Sequence, residues 1–234
     1  MSFEEIVGQR RSMRVFDQNH AFNHEAVQKA LELAVLAPNS SNMQLWEFYR
    51  IVSPDLKAKV AKICIGQSAA KTASELVVFV TRQDKFKERA AWNLAEKLKQ
   101  NDPRGHARDE LYYGKQMPLF YRYDSFGFST LFRWAFTSYA ALKKPFMRFY
   151  SAAHLRSILH KTVGLAAQTF MLSMVDQGYD TCPMEGFDEV RLKKLLNLPA
   201  IAEISMVVAC GKGTQQGIYN QRLRVPNDEV IFKL

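Results

Sequence analysis

The sequence predicts an α+β fold, and three observations carry the prediction. Residues 76–81 and 204–210 are short apolar runs, the signature of strands buried on both faces. Residues 46–52 alternate in polarity and are rich in β-formers. Around them lie stretches whose apolar residues recur at helical spacing, the longest of which is 154–177.

The elements follow in order. Residues 2–9 read as a short helix with Ser2 as its N-cap. Residues 24–37 form an amphipathic pattern, with Val27, Ala30, Leu31, Ala34 and Val35 on one face and Pro38 ending it. After the strand at 46–52, residues 54–65 are helical, and Pro54 suits the first turn. The buried run at 76–81 comes next. From Arg82 to about Tyr150 the chain is charged and aromatic, and it is interrupted by Pro103, Gly105, Gly114, Pro118 and Pro145. The helix at 154–177 is dense in small and apolar residues and stops at Gly178. A short strand at 179–182, a helix at 188–196 capped by Asp188, and the strand at 204–210 complete the order. The tail, 211–234, is polar until Val230, Ile231 and Phe232.

At 234 residues, one domain spanning 1–234 is the simplest expectation, and it can bury a core without disulfides. Cys64, Cys182 and Cys210 are widely spaced and odd in number, which points to a reducing, cytoplasmic compartment. The N-terminal residues do not resemble a signal peptide, and no apolar run is long enough to span a membrane. The net charge of +9 is localised: residues 82–161 hold 16 Lys/Arg against 7 Asp/Glu, and the remainder is neutral. The five histidines lack zinc-ligand spacing, so no metal site is expected. No nucleophile elbow, P-loop or dinucleotide fingerprint occurs. Cys182 has no histidine nearby in sequence and reads as a small buried residue.

Two stretches near the start carry chemistry. Arg10-Arg11-Ser12-Met13-Arg14 sets three guanidinium groups and a hydroxyl within five residues. Guanidinium pairs with phosphate through parallel charge-assisted hydrogen bonds. Ala37-Pro38-Asn39-Ser40-Ser41-Asn42-Met43-Gln44-Leu45-Trp46 concentrates amides and hydroxyls that can read a polar ring edge. Alone, the first is an ordinary solvated face and the second an ordinary turn. In this order and spacing they resemble the nitroreductase family of FMN-dependent oxidoreductases. The chain departs from that family's pattern at Asn39, usually Ser, and at Leu45, usually Pro.

Further segments extend the resemblance. Residues 163–172 are similar to the family's long central helix, whose small residues allow close packing on a partner's copy. Cys182-Pro183-Met184-Glu185-Gly186-Phe187-Asp188 resembles the segment along the flavin ring, where Gly186 permits close backbone approach. Arg222-Leu223-Arg224-Val225-Pro226 resembles a second cation pair around the phosphate. Gln67, with Lys71 after it, stands where the family often has an amide reaching the flavin.

The resemblance implies a mixed central β-sheet of about four or five strands flanked by helices, with an inserted helical lid segment at 82–150. It implies a homodimer with FMN at the interface. Arg10, Arg11, Ser12, Arg14, Arg222 and Arg224 would hold the phosphate and ribityl groups. Pro38, Asn39, Ser40, Asn42 and Gln44 would come from the other subunit, and Gln67, Lys71, Met184, Glu185 and Gly186 would meet the ring. The implied reaction is ping-pong hydride transfer from NADH or NADPH, through flavin N5, to an electron-poor small-molecule acceptor such as a nitroaromatic or quinone. The flavin carries that chemistry, so no catalytic side chain is nominated. The alternatives are a flavin-binding protein without turnover, or a specialised family reaction such as dehalogenation or flavin fragmentation.

The insert has its own pattern. Phe128, Leu131, Phe132, Ala135, Tyr139 and Leu142 share one helical face, with Ser129, Thr130, Arg133, Thr137 and Ser138 on the others; Lys143, Lys144 and Arg148 follow. One reading is a lid lining the substrate pocket or the dimer groove. The other is peripheral contact with an anionic membrane through 120–150. Nucleic acid is disfavoured, because no recognised nucleic-acid module is present.

Overall fold

The computed structural model describes residues 1–100, 103–122, 128–147 and 151–234. The side chains of Phe128, Ser129 and Phe132, and all of Arg148, lie outside what is described. Four strands form one sheet in the order β1-β2-β4-β3: β1 Trp46–Ile51, β2 Glu75–Thr81, β3 Asp180–Met184 and β4 Glu203–Gly211. All three named pairings are antiparallel. The parallel component is a single bridge, Ser12 to Thr181, outside β3 in the sheet. The α+β class holds, and its mixed character is confined to that bridge.

β2 is buried along its whole length, which explains its unbroken apolar run. On one sheet face, α3 (Pro54–Ile63), α4 (Ser68–Thr72) and α10 (Glu189–Leu195) cover Leu76, Val78, Val80, Val207 and Ala209. On the other, α2 (His24–Ala34) and α9 (Ala152–Asp176) cover Val77, Phe79 and Val208. The small residues Ala166 and Ala167 of α9 are buried there, whereas Leu165 and Gln168 are exposed.

α1 (Phe3–Gln9) starts at a capping box of Ser2 and Glu5, as the sequence indicates. Two helices end sooner than their periodicity predicts. α2 stops at Ala34, because Pro38 disfavours the helical conformation at Ala37 and the chain tightens through i→i−3 bonds at Leu36 and Ala37. α3 stops at Ile63, where Ile65 and Gly66 enter the left-handed region at φ 58° and 65°. β3 begins at Asp180 and runs on to Met184, two residues beyond the expected end.

The interrupted stretch after β2 is largely helical. It contains α5 (Phe86–Lys99), α6 (Pro103–Leu111), a wide turn at Tyr112–Gln116, α7 (Met117–Phe120) and α8 (Phe128–Lys143). Pro103 opens α6 and Pro118 sits in the first turn of α7, where a missing N–H costs little. Tyr113, Met117 and Tyr121 build a third core with Met43, Leu45, Leu155 and Leu159, so the insert is anchored on the loop before β1 and on the start of α9. Among the described residues, no helix is long and apolar enough to cross a membrane.

Candidate functional site

Residues 10–14 follow α1 directly and run beside β3. The Met13 N–H donates to the Thr181 carbonyl at 3.0 Å, and the Arg14 N–H donates to the Gly217 carbonyl at 2.7 Å. Met13 is buried against Gly213 and Gly217. A Cβ at Gly217 would collide with Met13 and lie 2.6 Å from the Val15 carbonyl oxygen, so only glycine lets residues 213–217 close over this segment. That closure brings the tail back to the arginines.

Arg10, Arg11, Ser12, Arg14, Arg222 and Arg224 line one cavity of about 260 Å³, with the stretch 218–221 completing the wall. No acidic side chain is among the lining residues. Arg222 Nη2 donates to the carbonyls of Gly8 and Arg10 at 2.8 Å each, and Arg11 Nη2 donates to the Asn220 carbonyl. Burial lowers the Arg10 pKa, and repulsion from Arg222, Arg224 and Arg11 lowers it further. These cations therefore oppose one another, and an anion among them would relieve the repulsion.

The expected ring-edge segment lies near by. Met184 is buried, whereas Glu185 and Gly186 are exposed where the chain leaves β3. Gln67, the N-cap of α4, donates from Nε2 to the Gly186 carbonyl at 2.7 Å. Lys71 folds back over Gly66, so Gln67 and Lys71 share this corner. Cys182 is fully buried, and burial raises its thiol pKa although Arg14 and Arg10 pull the other way. Its thiol donates to the Pro183 carbonyl at 3.7 Å, and among the described residues it bonds no base that would make it a nucleophile, in line with its sequence context.

The second stretch sits apart. Ser41, Asn42 and Gln44 occupy left-handed φ values of 55°, 52° and 49°. Asn39 Oδ1 accepts the Gln44 N–H at 2.9 Å, which gives the departure from serine at that position a structural role. Leu45, the other departure, is 1 % exposed and packs into the third core. Asn42 and Asn93 of α5 exchange amide hydrogen bonds, Tyr121 OH donates to Ser40 Oγ, and Tyr112 OH donates to Ser41 Oγ. Pro38 is exposed. Among the described residues, no hydrogen bond or ion pair links this loop to the arginine cavity. The pinning residues Asn93, Tyr112, Tyr113 and Tyr121 were missed from sequence, because nothing in their spacing points to residues 40–42.

An antiparallel sheet clad by helices, with an acid-free arginine cavity at its β3 edge, defines an α+β protein able to hold a phosphate group. The chain belongs to the nitroreductase family, whose model matches residues 7–212. It is similar to protein DrgA of Synechocystis sp., 29 % identical over 98 % of this chain and 93 % of that protein. It is also similar to a Bacillus subtilis protein named as a candidate NAD(P)H nitroreductase, MhqN, 27 % identical over 98 % and 97 % of the two chains. A solved structure from Exiguobacterium sibiricum, described as a nitroreductase candidate in complex with FMN, superposes with a TM-score of 0.71. It is 25 % identical, covering 100 % of this chain and 98 % of that one.

Proposed function

We propose that the chain is an FMN-dependent NAD(P)H oxidoreductase that reduces an electron-poor small molecule. The arginine cavity is the observation that carries this reading. Its donor set fits a phosphate ester: five arginines and a serine converge, and no acid competes with an anion. The matching family and the FMN-bound neighbour support the same cofactor. FMN would supply the redox chemistry there, a ping-pong transfer of hydride from NADH or NADPH to the acceptor through flavin N5.

The chain's own residues bind and orient. Arg10, Arg11, Ser12, Arg14 and Arg224 neutralise the phosphate, while Arg222 is aimed by the two carbonyls it holds. Gln67 is held against Gly186, which leaves its amide oxygen and the exposed Glu185–Gly186 backbone as the groups that would meet the ring edge, with Lys71 in the same corner. Pro38, Asn39, Ser40, Asn42 and Gln44 act from a second protomer, completing a site that one chain holds only in part. None of them lines the cavity within one chain, which supports this homodimer. A cytoplasmic, reducing setting fits the three unpaired, buried thiols.

An anaerobic titration tests the reading. Purified protein should be yellow, bleach with NADH or NADPH, and regain colour with a nitroaromatic or quinone. Protein that takes up no FMN would sink the cofactor assignment. Yellow protein that ignores both nucleotides would make it a flavin binder.

A further inference from the structure

α8 presents its apolar side to solvent. Thr137 is buried and Thr130, Arg133 and Ala141 are partly covered, whereas Leu131, Trp134, Tyr139 and Leu142 are 71, 53, 59 and 82 % exposed. A helix resting on its own protein shows the opposite arrangement. The apolar surface continues past the helix, where Phe146 packs edge-on against Phe136 and Met147 is 60 % exposed. α7 lies beside α8, where Arg133 Nη2 reaches the Leu119 carbonyl at 3.3 Å, and Leu119 adds a second apolar side chain that is 65 % exposed.

Cations rim this surface. Lys143 Nζ lies 4.6 Å from the Tyr139 ring centroid, and Lys144 follows it. Lys87 and Arg122 flank Leu119 across an open cleft. From residue 125 to residue 175 the sequence contains six Lys/Arg and no Asp or Glu. A two-fold contact of α8 with itself would set Lys143 and Lys144 against their own copies, with no acid on the helix to meet them. An anionic leaflet complements it, with apolar and aromatic groups entering the headgroup boundary and ammonium groups meeting lipid phosphates.

We propose that the outward face of α8, continued by Leu119, Phe146 and Met147, docks this protein on an anionic lipid surface. The proposal does not depend on the bound cofactor, and its failure would leave flavin content and nucleotide oxidation untouched.

Co-sedimentation of the full chain, as purified, with vesicles tests it. Phosphatidylcholine vesicles containing phosphatidylglycerol should pellet the protein at low salt, and phosphatidylcholine alone should not. High salt should release it. Leu131→Glu with Leu142→Glu changes two exposed side chains and should cut binding at least about tenfold without altering the far-UV spectrum. Lys143→Ala with Lys144→Ala should weaken binding about tenfold or more. Wild-type protein left in the supernatant with anionic vesicles at low salt would overturn the proposal. So would binding indifferent to the Leu131 and Leu142 changes. Light scattering that shows those changes splitting a dimer would assign the face to a second copy and overturn it equally.

Discussion

Asn42 and Asn93 exchange two hydrogen bonds of 2.9 Å, one in each direction, between the loop before β1 and helix α5. Asn93 is 3 % exposed and also donates to the Arg89 carbonyl. The pair holds a loop in which three non-glycine residues are left-handed, a conformation costing roughly 1 kcal/mol or more at each. Asn93→Leu keeps the volume and removes both the acceptor of Asn42 Nδ2 and the closer of the two side-chain donors to the Asn42 carbonyl. We expect a loss of about 1–3 kcal/mol, read as a lower melting temperature. Flavin should also dissociate more readily, because the loop would relax. Unchanged melting and flavin retention would show that the loop holds itself.

The arginine cavity yields a prediction with opposite signs in two states. Arg224 is exposed, and among the described residues its guanidinium bonds only its neighbour's carbonyl, at Leu223, so little structure depends on it. It is one of the cations that lower the Arg10 pKa. Arg224→Ala should therefore leave the apoprotein as stable as before or slightly more so. FMN affinity should fall by about tenfold to a hundredfold, the worth of one charge-assisted hydrogen bond. Thermal melts of apoprotein and fluorescence titration with FMN separate the two effects. Equal affinity in the variant would remove Arg224 from the site.

Much of this architecture was legible because local chemistry dictates it. Ser2 and Asp188 cap the helices that follow them, and the apolar run at 76–81 is a strand buried on both faces, as the sequence indicates; Asn23 and Ser53 are further caps that were missed from sequence. The site was legible in its cations, since Arg10 and Arg222 stand out in linear sequence. What sequence did not disclose depends on residues far apart along the chain. Tyr112, Tyr113 and Tyr121 look like aromatic filler until the fold sets them on Ser40 and Ser41. The helix ends at Ala34 and Ile63 were misjudged by two or three residues, because backbone geometry, not hydrophobic period, terminates them.

Glu203 makes the fold sensitive to acid. Its carboxylate pKa is lowered chiefly by the hydrogen bond with His160, an effect that burial opposes and Arg156 reinforces. His160 Nε2 lies 2.9 Å from Oε2, and Arg156 Nε lies 2.7 Å from Oε1. A carboxylate pKa lower in the folded chain than in the unfolded chain adds stability above the unfolded value, ordinarily about 4.3. That stability is lost as pH falls through the folded value. Glu203→Gln should cost about 1 kcal/mol at neutral pH and nothing once both forms are protonated. Urea midpoints measured from pH 7 down through the carboxylate range should converge for the two proteins. Parallel curves would mean that Glu203 acts through shape and not charge.

The last prediction concerns the one carboxylate that is fully buried among the described residues. Glu75 is 0 % exposed, and Arg50 grips it with Nε at 2.7 Å and Nη2 at 3.1 Å while His24 Nδ1 stands 2.6 Å away. The hydrogen bond to Glu75 is the largest influence on Arg50 and holds its guanidinium above the usual pKa. Arg50 also bonds the His24 carbonyl and Gln28, so the pair ties β1 and β2 to the start of α2. Desolvating both charges cancels much of their attraction, yet removing one leaves the other unpaired in a closed space. Arg50→Met leaves the buried carboxylate with His24 as its remaining partner and should cost about 3–5 kcal/mol. Glu75→Leu leaves a guanidinium that still reaches solvent, being 24 % exposed, and should cost less. The double variant should be more stable than the sum of the two losses predicts, by at least about 1 kcal/mol. A double-mutant cycle by urea denaturation measures this directly. Strict additivity would show that the two side chains contribute independently, and the ion pair would then not be what joins the sheet to α2.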